Sequence, residues 1–210
     1  MRLIFQNNMY IHIDEDGNVL GRYYYVFKEG YLKGVSDYFI ATQQQCSDIK
    51  DLNKAKWSLY STKTGKIAGD FDWIHTAGLV KSQSPYFKAQ TGKYEALYTI
   101  DGQKTDFFEK IRDRGALTGE SNYFWGKKNG KFAIYDVKTG EKLTEDYKSS
   151  VLAGVILGRG TYYVGSYGEE IFYIFDLKTG KRLTKAFDEH KLVEILKHGN
   201  LEKAVEEIGI

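Results

Sequence analysis

The chain has 210 residues, with 30 basic against 28 acidic side chains and a formal charge of +2, so no global field draws it onto nucleic acid or a membrane surface. Tyrosine (17) and phenylalanine (12) are abundant while proline (1) and methionine (2) are scarce, a bias toward strands and away from disorder or long helices. A single cysteine, Cys46, excludes an intramolecular disulfide, the N-terminal apolar run is too short for a signal peptide, and nothing is long enough to span a bilayer; these features predict a soluble, cytoplasmic protein.

Residues 3–5, 10–13 and 20–27 read as three strands around a polar turn that closes on Gly17. From residue 30 a fuller pattern sets in and recurs. Gly30 precedes the aromatic pair Tyr38 and Phe39 by the same spacing that sets Gly78 before Tyr86 and Phe87, Gly115 before Tyr123 and Phe124, and Gly154 before Tyr162 and Tyr163. The short apolar pieces after these glycines (Tyr31 with Leu32, Leu79 with Val80, Ala116 with Leu117, Val155 with Ile156) read as a first strand, and the aromatic pair as a second. A third strand follows in each unit, seen in Trp57, Leu59 and Tyr60, in Phe132, Ile134 and Tyr135, and in Phe172, Ile174 and Phe175. It ends in a polar turn on Gly65, Gly102, Gly140 or Gly180, and a fourth strand then carries Phe71, Phe108, Tyr147 or Phe187, as Tyr24 follows Gly17 in the first unit. Hairpins repeated about every 40 residues mean an array of small sheets.

The third strand is apolar on both faces, so it needs cover on both sides. These features predict an all-β fold: a five-bladed β-propeller of four-stranded antiparallel blades over residues 1–187, the first blade incomplete, followed by a short helical tail over 188–210. An open stack of the same sheets would expose two aromatic faces. In the tail, Leu192, Val193, Ile195 and Leu196, then Leu201, Ala204, Val205 and Ile208, form apolar faces. These predict either a lid packed on the same chain or a helix pair through which two copies dimerise.

The hairpin of Tyr135, Asp136, Lys138, Thr139 and Gly140, with its partner at Phe175, Asp176, Lys178, Thr179 and Gly180, resembles the strand-turn-strand of quinoprotein-type propeller repeats. The unit from Tyr123 through Trp125 and Gly126 to Gly140 is similar to the short WG-type repeat. The resemblance spans roughly residues 9 to 187 and implies an architecture; it brings no family's chemistry.

No spacing supports catalysis. His12, His75, His190 and His198 occur singly, so no metal site and no cofactor is predicted. No nucleophile elbow, Walker loop or dinucleotide fingerprint is present. Asp14 with Asp16 and Asp70 with Asp72 fit turns and strand ends. The main irregularity is an insertion over residues 43–56, where other units have a short turn, and surface loops are where such folds acquire function. On a propeller it would share a face with Lys28, Lys50, Lys54, Lys56, Lys93, Lys110, Arg112, Arg114, Lys127, Lys128, Lys131 and Lys148, set against Glu29, Asp48, Asp51, Asp113, Glu169 and Glu170.

That loop face predicts a non-enzymatic binding module for an acidic protein or another anionic ligand, with nucleic acid a weaker candidate and a membrane not expected. Its candidate residues are Lys54, Lys56, Trp73, His75, Arg112, Arg114, Lys127, Lys128, Tyr147 and Lys148. The alternative is a carbohydrate-active hydrolase or lyase with carboxylates converging at a central channel. The plain reading of the same lysines is solubility.

Overall fold

In the computed structural model, which describes residues 2–168 and 170–210, the chain separates into two compact units, Met1–Gln103 and Lys104–Ile210. The first unit holds three antiparallel sheets. Arg2–Gln6, Met9–Ile13 and Val19–Tyr23 form the first; Tyr25–Val26, Tyr38–Thr42, Trp57–Ser61 and Gly65–Phe71 the second; Trp73–Ile74, Phe87–Thr91, Tyr94–Thr99 and Gly102–Gln103 the third. The second unit holds a fourth sheet (Lys110–Arg112, Tyr123–Lys128, Lys131–Asp136), a fifth (Ser149–Ser150, Tyr162–Ser166, Tyr173–Asp176) and the helices Glu189–His198 and Leu201–Ile208. No helix among the described residues is long and apolar enough to cross a membrane.

The predicted first strand is not a strand. Gly30–Lys33, Gly78–Lys81 and Gly154–Leu157 are single 3-10 turns and Arg114–Thr118 is a short α-helix. Each is stopped by a residue in the left-handed region, Gly34, Ser82, Gly119 or Gly158. The Gly34 N–H closes back on the Tyr31 carbonyl at 2.9 Å, so a short apolar run between two glycines is wound into a helical turn. Gly30 itself sits at φ +72, and a Cβ there would run into the Tyr38 carbonyl oxygen.

The all-β, five-bladed propeller is therefore replaced, among the described residues, by a mixed sheet and helix fold of five open sheets, each of three or four strands, none closed on itself. The predicted fourth strand also divides. Val19–Tyr23 pairs with the first sheet, and two residues later Tyr25–Val26 forms the edge of the second; Gly65–Phe71 and Trp73–Ile74 part in the same way around Asp72. An extended segment that leaves one sheet for the next links neighbours in series rather than completing an independent blade. The likeness to propeller repeats ends at the hairpin, where Asp136 accepts from the backbone N–H groups of Lys138 (2.6 Å) and Thr139 (3.1 Å) and Gly140 lies at φ +75.

Within each unit the sheets pack face to face, which gives Trp57–Ser61 its burial on both sides. One face, with Phe39, Ala41 and Tyr60, meets Tyr23, Leu3 and Tyr10 of the first sheet. The opposite face, with Ile40, Trp57 and Leu59, meets Phe87, Ala89 and Ala96 of the third. A ring trio recurs in the second to fifth sheets. Phe39 stacks on Tyr60 with Tyr23 edge-on, Phe87 stacks on Tyr98 beside Phe71, Phe124 stacks on Tyr135 beside Phe108, and Tyr163 stacks on Phe175 beside Tyr147. The ring from the first sheet is Tyr23, whereas Tyr24 points out and is exposed.

In the second unit the fifth sheet does not end on a bare aromatic face. Leu192, Ile195, Leu201 and Ala204 of the two C-terminal helices bury Val164, Phe172, Ile174 and Phe187, so most of the apolar residues expected to dimerise two copies lie against the chain's own sheet, while Val193 and Leu196 stay exposed. An amphipathic cap of this kind covers a sheet face that would otherwise meet water.

Candidate aromatic cleft

The loop face proposed from the sequence needed a closed ring, whereas the described residues form five separate open sheets. Its residues divide between the two units: Lys54, Lys56, Trp73 and His75 fall in the first, and Arg112, Arg114, Lys127, Lys128, Tyr147 and Lys148 in the second. Several also have partners. Lys56 pairs with Asp72 at 2.5 Å, and Lys128 with Asp106 at 2.7 Å while lying over the ring of Phe108. Arg112 donates to the Ser150 carbonyl at 3.3 Å, and both Arg112 and Lys127 lie over Phe132. Arg114 stands exposed at the start of its short helix. Tyr147 is a core residue, its hydroxyl 2.9 Å from that of Tyr163, and burial raises its ionisation far above the ordinary range. Glu169 lies outside the described residues.

Lys148 lines a shallow cleft of about 590 Å³ in the second unit, shared by Lys131 with Glu170 and Glu189. Both signs of charge meet there, which does not select an anion. Among the described residues the open sheets form no propeller channel for the carboxylates of the enzymatic alternative, and no group of three or more His, Cys, Asp and Glu side chains could hold a metal ion.

What the structure does assemble is an aromatic cleft of about 290 Å³ in the first unit. Its floor is Trp57, at the start of a central strand of the second sheet, with Phe27 tilted against it at 4.7 Å between ring centres. Tyr25, from the edge strand of that sheet, stands edge-on to both rings, 5.9 Å from Trp57 and 5.8 Å from Phe27. The far wall is Trp73, on the edge strand of the third sheet. Tyr25 (38% exposed) and Trp73 (39%) remain open to solvent while Trp57 (5%) is buried.

The remaining wall comes from the insertion, which folds as a compact loop rather than a free one. Asp48 caps the turn Ile49–Leu52 by accepting from the Asp51 N–H at 2.9 Å, and Asp51 accepts in return from Ser47. Gln44 closes the base by accepting from the Lys56 N–H at 2.8 Å. Ala55 is buried, and Cys46 and Leu52 pack against the same core, so the loop carries some core of its own. Ile49 (75% exposed), Leu52 and Asn53 are thereby turned toward the rings. Burial, followed by the charges of Asp51 and Asp48, raises the Cys46 thiol, which leaves it a poor nucleophile.

Electrostatically the cleft is quiet. The Asp72 carboxylate on its edge is held below the ordinary range by its bond from Lys56, and its other oxygen accepts from the Gly92 N–H at 2.6 Å. His75 stands edge-on to Trp73 at 5.1 Å, and its Nδ1 accepts from the Ala77 N–H at 3.0 Å. Burial, then the nearby Lys88 and Lys81, lowers its proton affinity, so the ring is neutral at pH 7. Of these cleft residues the sequence singles out Trp73, with its neighbours Lys56 and His75, and the insertion 43–56 that carries Ile49, Leu52 and Asn53; Tyr25, Phe27 and Trp57 are not among its candidates.

No family model and no curated protein matches the chain. Among solved structures it is similar to the computationally designed Ika8 protein, with a TM-score of 0.37 and 11% identity over 86% of this chain and 59% of that one. It is also similar to HIRA(644-1017), with a TM-score of 0.34 and 7% identity over 75% of this chain and 51% of that one. The chain spans between half and three-fifths of the length of these two structures, and at such TM-scores neither likeness carries an argument about fold or function.

Proposed function

We propose that the first unit is a recognition module that takes an uncharged, apolar segment of another polypeptide into the cleft of Tyr25, Phe27, Trp57 and Trp73. The observation that carries this reading is the convergence of four aromatic rings from two sheets on one concavity, two of them left wet on its rim. Aromatic side chains in a pocket are the commonest anchors of polypeptide interfaces, and a cleft of this size suits a few side chains rather than a whole small-molecule ligand.

Intrinsic fluorescence tests it, because Trp57 and Trp73 both lie in the cleft and Trp125 is in the other unit. The full chain is titrated with two peptides, one proline-rich and extended, the other a leucine-anchored amphipathic helix. The expected result is saturable quenching or enhancement by at least one of them, abolished in Trp73→Ala. No binding of either peptide at millimolar concentration overturns the reading.

We also take residues 1–187 as the sheet array and 188–210 as its cap, a boundary supported by the change from strand to helix there, and we place the protein in the cytoplasm. Supporting that location is the one free thiol.

A further inference from the structure

We infer that the segment taken by this cleft is a proline-rich peptide in the polyproline II conformation; the inference rests on the recognition role proposed above for the same cleft. Hydrogen-bonding capacity at the rim is lopsided. The acceptor on its edge, Asp72, is already occupied on both oxygens, by Lys56 and by the Gly92 N–H. Three groups, the Tyr25 hydroxyl, the Trp73 indole N–H and the Asn53 side-chain amide, have no hydrogen-bond partner among the described residues; together they offer more N–H and O–H hydrogens than accepting oxygens, since the indole only donates and the amide carries two hydrogens on one nitrogen. A ligand that brings more acceptors than donors therefore matches this rim best.

Proline-rich chains have that character. Proline lacks an N–H, and polyproline II makes no internal hydrogen bonds, so its carbonyls stay free to accept. Three residues per turn place every third side chain on one face, about 9 Å apart along the axis. Flat pyrrolidine rings can lie between Tyr25 and Trp73 over the floor of Trp57 and Phe27, as aromatic grooves elsewhere take such chains. An amphipathic helix would keep its carbonyls for itself and leave the three donors dry and unpaired. An added strand would bring as many donors as acceptors. Little ordering entropy opposes the choice, since polyproline II is already populated in the free peptide.

The test uses the same two peptides with the full chain and with Tyr25→Phe and Asn53→Ala, whose folding is checked by circular dichroism. Binding of the proline-rich peptide, with each substitution weakening it by about three- to tenfold and the helical peptide inert, supports the inference. If the helical peptide binds and the proline-rich one does not, the cleft is a recognition site but the polyproline assignment is wrong. If the proline-rich peptide binds equally to both variants, the donors do not read its carbonyls and the inference is again overturned. If neither peptide binds, the recognition role and the inference fall together.

Discussion

The hydroxyl of Ser36 donates to the main-chain carbonyl of Val80 across 2.6 Å, from the turn before one aromatic pair to the helical turn of the following sheet. Ser121 makes the same 2.6 Å bond to Val155 in the other unit. Each serine oxygen also accepts from the next tyrosine's N–H, Tyr38 at 3.2 Å or Tyr123 at 3.0 Å. The serine thus ties its own strand to the neighbouring turn, which an alanine cannot do. Ser36→Ala and Ser121→Ala are each expected to lower unfolding free energy by about 1–2 kcal/mol. Urea unfolding measures this, and a change below about 0.3 kcal/mol in both would show that the bond is replaced by water at no net loss.

The stacked ring pairs set the largest single-residue effect. Phe87 is fully buried between Tyr98 and Phe71. Phe87→Ala removes both contacts and leaves a cavity, for an expected loss of about 3–5 kcal/mol, whereas Phe87→Leu should cost less. Thermal midpoints of the two variants give the order directly.

His12 makes stability depend on pH. Fully buried, it has Nε2 bonded to the Thr62 carbonyl at 2.9 Å, Phe39 edge-on to its ring, and no partner for Nδ1. Burial outweighs the Thr62 bond and lowers its proton affinity below the ordinary 6.5. The unfolded chain therefore takes up a proton that the folded chain resists. Stability is at its full value above about pH 6.5 and falls as pH drops below it, with a slope of at most about 1.4 kcal/mol per pH unit. His12→Leu, which restores the apolar residue that Leu59 and Leu97 supply in later sheets, should flatten the profile between pH 7 and 5. His75 is lowered in the same direction, so the His12 contribution is the difference between the two profiles; identical profiles would refute it.

The C-terminal helices are expected to be indispensable as a cap. Ending the chain after Phe187 would uncover Val164, Phe172 and Ile174, which the helices now bury. Size-exclusion chromatography should then show aggregates in place of a single species. A milder probe is Gly154→Ala: its Cβ would strike the Tyr162 carbonyl and the Leu201 side chain at a residue held at φ +53. A monodisperse truncated chain would mean that the exposed face is tolerated.

Much of the local structure was legible in the sequence. Apolar runs closed by turn glycines located the hairpins, and the recurring aromatic columns marked the strands that carry the paired rings, although the stacking itself is seen only in the structure. The tail read as helical for the same reason: its apolar residues recur at helical spacing between Asp188 and Gly199, which cap the first helix.

The helical turns were misread although their signal was present. Gly30 and Gly34, or Gly154 and Gly158, bracket a short apolar run whose periodicity fits strand and helix alike; what decides is the left-handed backbone at those glycines and at Ser82. Tyr23 rather than Tyr24 faces the core because the extended segment changes sheets between them, and a one-residue change inverts which side chain is buried.

Closure and the cleft were decided only by the tertiary structure. A strand buried on both faces requires neighbours on both sides, and a ring, or a stack with a helical cap, satisfies that requirement equally; the packing of Leu192 and Leu201 on the fifth sheet is a contact between distant parts of the chain that no local pattern encodes. In the same way Tyr25, Asn53, Trp57 and Trp73 come from an edge strand, an insertion, a central strand and the edge of another sheet. Their residue types were set by the sequence, but their meeting follows from how two sheets stack and where the insertion folds back.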